Sequence, residues 1–163
     1  MKALEKLKPS YRKGIGFGVT SGIITTLGVM TGLFSGTDSK AIVLGGVLLI
    51  AFADSMSDAF GIHISEEFTR KSSERQVWVS TISTFLSKAL VSLSFVVPII
   101  FLQLSTAIVV NLVWGMVLII VFSFVISLEE EVKPYRVILE HIGIAAFVIL
   151  ATFFIGEGVR LIK

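Results

Sequence analysis

The sequence predicts an all-α integral membrane protein with five transmembrane helices, and three observations carry that prediction. Of the 163 residues, 54% are hydrophobic and only 16% charged, with a mean hydropathy of +0.91; a soluble domain of this size does not need so much apolar sequence. The apolar residues come in long unbroken blocks, not in the single stripe of an amphipathic core helix. Short polar joins separate the blocks. The spans fall at about 15–35, 41–63, 77–101, 105–127 and 136–159, each long enough for a hydrocarbon core of about 30 Å. Joins this short make neighbouring helices antiparallel and leave one transmembrane domain, 1–163, without a soluble module.

The first span follows a tail containing Lys2, Lys6, Lys8, Arg12 and Lys13. That basic start resembles a signal peptide, but the apolar part is longer than an h-region and no A-x-A-like site follows, so it is retained as a helix. Its stretch "GFGVTSGIITTLGVMTG" places Gly18, Ser21, Gly22, Thr25, Gly28 and Gly32 within one stripe at 100° per residue. Such a stripe lets helix backbones approach closely, either inside one subunit or at a permeation path or dimer seam.

The second span ends in "AFADSMSDAFGIHISEE". Asp54 and Asp58 are four apart and share a face, whereas Met56 and His63 share another face roughly 160–200° away. In the third span, Lys88 is the one intramembrane lysine, and counting at about 1.5 Å per residue puts it at nearly the depth of Asp54. A lone charge there costs about 2.5–3.5 kcal/mol even on the lenient insertion scale, so a Lys88–Asp54 pair is expected, with Asp58 left over as a free carboxylate. Two readings follow: a structural ion pair between spans two and three, or an ion or proton pathway, for which the second aspartate speaks.

The fourth and fifth spans complete the bundle. Ten Lys/Arg fall on one side (the tail; Arg70, Lys71 and Arg75; Lys133 and Arg136) and three on the other (Lys40, Arg160 and Lys163). The positive-inside rule then places the amino terminus in the cytoplasm and the carboxyl terminus outside, in the cell membrane if the source is prokaryotic. Although the sequence pI is near 9.0, the basic residues follow the membrane and form no nucleic-acid surface. The absence of cysteine excludes disulfides and thiolate metal sites. No P-loop, HExxH, nucleophile elbow or Rossmann fingerprint occurs, and no nucleophile–base pair suggests an enzyme. His63 and His141 fall at the cytoplasmic ends of separate spans. Glu66, Glu67 and Glu74, with Glu129–Glu131, either gather cations at that surface or form a solvated face beside Lys and Arg.

Span one ("SGIITTLGVMTG"), the "SM" of span two and the end of span five ("GIAAFVILATFFIGEGV") resemble the vacuolar iron transporter family. The resemblance implies a five-helix fold, a homodimer, and export of Fe(II) or Mn(II) from the cytoplasm in exchange for protons, with no permanently bound cofactor. Met56 matches the family's second-helix methionine, a soft ligand suited to Fe(II). Where the family carries an aspartate before the first-helix glycine, this chain has Ser21, and Asp54 and Asp58 are candidates to replace that carboxylate. The long cytoplasmic metal-binding extension of plant members is reduced to "ISEEFTRKSSERQ", leaving His63, Glu66 and Glu67 as candidates for metal capture. The leading expectation is thus a proton-coupled divalent-metal transporter whose pathway involves Asp54, Asp58, Met56, Ser21 and Thr25, with Lys88 as charge partner and Gly18, Gly22, Gly28 and Gly32 in helix packing or the dimer. A non-transporting membrane scaffold and an ion-coupled carrier of another solute are the alternatives.

Overall fold

A computed structural model describes residues 2–69, 72–129 and 131–162, with side chains from Leu7 onward except that of Glu129. Arg70, Lys71, Glu130 and Lys163 lie outside the described residues. The chain is helical almost throughout: α1 (Lys2–Thr37), α2 (Lys40–Leu49), a π-helical turn (Ile50–Asp54), α3 (Ser55–Thr69), α4 (Glu74–Ser94), α5 (Val96–Phe101), α6 (Leu104–Glu129) and α7 (Pro134–Arg160). These make five segments long and apolar enough to cross a membrane: Leu7–Thr37, Lys40–Thr69, Glu74–Phe101, Leu104–Leu128 and Pro134–Arg160. The predicted spans are all present, each within a helical segment that extends beyond it, because helical hydrogen bonding continues past the end of the apolar run. α1 carries Pro9 within it, and Asp38, at φ 47°, reverses the chain into α2; a short polar side chain tolerates that left-handed conformation.

α1 is the central post, packed against α4 and α7 and touching α2, α3 and α6. Its glycines make this packing possible. A Cβ on Gly18 would lie 2.1 Å from Ser87 Oγ and 2.6 Å from the Thr84 carbonyl oxygen, both on α4. Gly32 and Gly36 meet the backbone of Thr152 and Gly156 on α7, and Gly28 meets Val148. The partners advance together from 28 to 36 and from 148 to 156, so α1 and α7 run parallel. The small-residue stripe is therefore occupied by helices of the same chain.

α4 is inside-out relative to a soluble helix. Its buried face carries Ser80, Thr81, Ser83, Thr84, Lys88 and Ser92, while Trp78, Ile82, Leu86, Leu90 and Leu93 are exposed along the other side. The hydroxyls are satisfied within the helix: Thr81 Oγ1 donates to the Val77 carbonyl at 2.8 Å and Thr84 Oγ1 to that of Ser80 at 2.8 Å. Such a helix suits a bilayer, where lipid takes the apolar face and each polar group needs an internal partner.

The apolar core lies toward the carboxyl-terminal half of α1, around Ile23, Leu27, Met30, Val43, Val47, Phe95 and Ile99. Within it the third segment breaks at Phe95, since Pro98 has no N–H to continue the ladder. At the break, the Phe95 carbonyl accepts a 2.9 Å hydrogen bond from Asn111 Nδ2 on α6. Asn111 is fully buried, a polar residue in an otherwise strongly apolar helix.

Candidate functional site

Ser21, Asp54 and Lys88 each stand near the middle of their membrane-spanning segment, and they meet. The Lys88 ammonium, on a side chain only 1% exposed, lies 2.6 Å from Asp58 Oδ2 and 2.5 Å from Asp54 Oδ2. It also donates to Ser21 Oγ at 3.0 Å, and Ser21 Oγ in turn donates to Asp58 Oδ2 at 2.6 Å. Lys88 therefore does not choose Asp54 and leave Asp58 free, as depth counting alone predicted; it bridges both. The contact with Asp54 is close but poorly directed, and Asp54 Oδ2 accepts no hydrogen bond. Asp58 holds the better-oriented interactions and is also the more enclosed side chain, 23% exposed against 39% for Asp54.

Asp54 and Asp58 share a face by their spacing of four, and the local backbone sets where that face points. The Ser55 N–H bonds the carbonyl of Ile50, five residues back, and Ser55 Oγ donates to the same carbonyl at 3.0 Å. This π turn ends on Asp54, and such turns recur at functional sites because they re-aim the side chains that follow. One ammonium against two carboxylates leaves the cluster with a net formal charge of −1.

The other predicted residues divide. Met56 is 37% exposed and, by helical spacing, sits opposite Asp58. Its expected partner His63 turns instead to α4: Nδ1 is 3.0 Å from Thr81 Oγ1, and the ring meets Trp78 edge-on at 4.8 Å. Because Thr81 spends its proton on the Val77 carbonyl, its oxygen accepts here and Nδ1 carries the proton. Nε2 faces Glu67 at 3.4 Å, beside a cavity of about 470 Å³ lined by His63, Glu67, Ser72, Glu74, Val77 and Trp78. Glu66, expected to gather cations with them, points elsewhere; Lys13 Nζ at 2.5 Å and Ser72 Oγ at 2.5 Å hold it, tying α1 to the end of α3. Among the described residues no group of three His, Asp or Glu is close enough to hold a metal ion.

Thr26, one position beyond the predicted Thr25, makes the polar contact to α4, its Oγ1 donating to Ser92 Oγ at 3.1 Å. Sequence reasoning also passed over Asn111, although a single amide amid the apolar run of span four is a visible signal. His141 is drawn inward by Ser123, with Nδ1 2.7 Å from Oγ. A scan of family models and a search of curated proteins find no match for the chain.

Proposed function

We propose that the protein moves a cation across the membrane, with Asp54, Asp58 and the Ser21 hydroxyl as the cation-binding oxygens. One observation carries this reading: three oxygens from two of the five segments converge on a single positive charge midway along those segments. Nζ of Lys88 stands where an arriving cation would be held, so loading requires that ammonium to withdraw or give up its proton. The second of these routes would couple cation binding to proton exchange. The 39% exposure of Asp54 at that depth also supports a pathway, because a carboxylate so placed needs water or a second subunit beside it.

The cargo we favour is a divalent transition metal, following the likeness of spans one and two to the vacuolar iron transporters. The donors are carboxylate and hydroxyl oxygen, which suit Mn(II) better than a softer ion, and Met56 lies outside the set. The chain is oriented with its amino terminus in the cytoplasm, works as a homodimer, and exports metal against protons. A reporter active only in the cytoplasm should then be active at the amino terminus and silent at the carboxyl terminus; activity at both ends would reverse the parity.

The deciding measurement is Mn(II) and Fe(II) flux in proteoliposomes with a proton gradient, for the wild type, Asp54→Asn and Asp58→Asn. Either substitution leaves Lys88 with one carboxylate, a neutral pair, so both variants should fold with near-normal melting temperatures. Both should lose at least about tenfold in flux, the loss of about 1.4 kcal/mol or more expected when a charged ligand is removed. A second reading rests on Lys88 pairing with both carboxylates: a non-transporting scaffold with an ion triad. Normal flux in Asp58→Asn, or none in the wild type, favours the scaffold.

A further inference from the structure

A second feature lies on the lipid-facing side of α1 and α4. An apolar groove of about 420 Å³ runs between them, walled by Tyr11, Ile15, Val79, Ile82, Leu86 and Leu90. Ser83 and Ser87 also line it, yet they offer a guest no unpaired donor: Ser83 Oγ donates to the Val79 carbonyl at 2.6 Å and Ser87 Oγ to that of Ser83 at 2.6 Å. The groove is thus apolar in effect. From Val79 to Leu90 it extends about 16 Å along α4 at 1.5 Å per residue, which matches one leaflet of a hydrocarbon core of about 30 Å.

Its end nearest the amino terminus is basic on both walls. One helical step beyond the lining, Lys8 continues the Tyr11–Ile15 face of α1, and Arg75 continues the Val79–Ile82 face of α4. Both are exposed, and neither forms a salt bridge among the described residues. The neighbouring acid, Glu74, lines the separate cavity beside His63. Tyr11, 48% exposed, sits between the basic rim and the apolar run, as an aromatic at a headgroup boundary does.

We propose that this groove is a binding site for an anionic phospholipid of the leaflet on the amino-terminal side. One acyl chain lies along α4, and the phosphate is held between Lys8 and Arg75. A second copy of the chain is the competing occupant. A two-fold interface seated on the groove would set Lys8 and Arg75 against their own copies, whereas an anionic headgroup neutralises them.

The test is native mass spectrometry of the full chain in detergent, titrated with phosphatidylglycerol and phosphatidylcholine of equal chain length. The wild type should retain one phosphatidylglycerol at a concentration about thirtyfold lower than it needs for phosphatidylcholine, the scale expected for two basic residues at a membrane surface. Lys8→Gln with Arg75→Gln should abolish that preference. Lys133→Gln with Arg136→Gln, which removes two exposed basic residues at the same end of the bundle, should preserve it. Ile82→Trp, filling the groove, should reduce retention of both lipids without lowering the melting temperature. Equal retention of the two lipids by the wild type, or a preference that survives the Lys8/Arg75 change, overturns the proposal. Because the chain has no cysteine, Leu86→Cys adds a clean check: a disulfide between copies in native membranes assigns the groove to a second subunit and also overturns it.

Discussion

Lys88→Met should destabilise the protein by about 3–5 kcal/mol, the range found when one partner of a buried ionic network is removed. It strands two carboxylates within hydrogen-bonding reach of the same point at mid-membrane, where neither repulsion nor desolvation is offset. Adding Asp54→Asn should recover only part of the loss, because Asp58 remains charged and keeps only the Ser21 hydroxyl as a described hydrogen-bond donor. The triple variant Lys88→Met/Asp54→Asn/Asp58→Asn, with no net charge left in the cluster, should return close to wild-type stability. Thermal unfolding in detergent across this series reads the order directly. Full recovery in the Lys88/Asp54 double variant would mean that Asp58 is not part of the buried network.

The second large effect concerns the contact of α1 with its neighbours. Gly18→Ala and Gly156→Ala should each cost about 2–3 kcal/mol, an overpacking penalty at the upper end of its usual range. The new methyl would meet backbone in both cases: the Thr84 carbonyl oxygen at 2.6 Å for Gly18 and the Gly32 carbonyl oxygen at 2.2 Å for Gly156. A backbone oxygen cannot turn aside as a side-chain end can, so the helices must separate. Gly61→Ala, where a Cβ meets nothing within 4 Å, is the control and should be neutral or slightly stabilising, since alanine is the better helix former. Equal melting temperatures for all three would show that α1 does not sit where its glycines place it.

Much of this was legible in the sequence, and the illegible part has physical causes. Five helices could be read because a span advertises itself by length and hydropathy alone. Their ends could not, because Lys2–Gly14 and Ile64–Thr69 continue the same hydrogen-bond ladder after the apolar run stops. Depth was also countable: one fixed rise per residue put Lys88 level with Asp54. What counting cannot supply is the angle about the helix axis. The π turn at Ile50–Asp54 has no residue signature, yet it changes that angle, and with it both carboxylates come to bear on Lys88. The same uncertainty of one position separates the expected Thr25 from the observed Thr26. Likewise, the glycine stripe announced close packing but not whose backbone would fill it; α4 and α7 of the same chain do.

The bridging of α3 to α4 also bears on how the chain is made. Alone in the hydrocarbon, α4 would carry an unpaired ammonium and a face of hydroxyls, and the preceding segment two unpaired carboxylates. Each is a poor candidate for independent entry from the insertion machinery, on whose scale a central charge costs about 2.5–3.5 kcal/mol. Only residues 70–73 separate the two helices, too short a connection for them to part. By that count the hairpin is favoured over either helix alone as the unit of insertion: its opposite charges are already joined, and Ser21 and Gly18 of α1 face it.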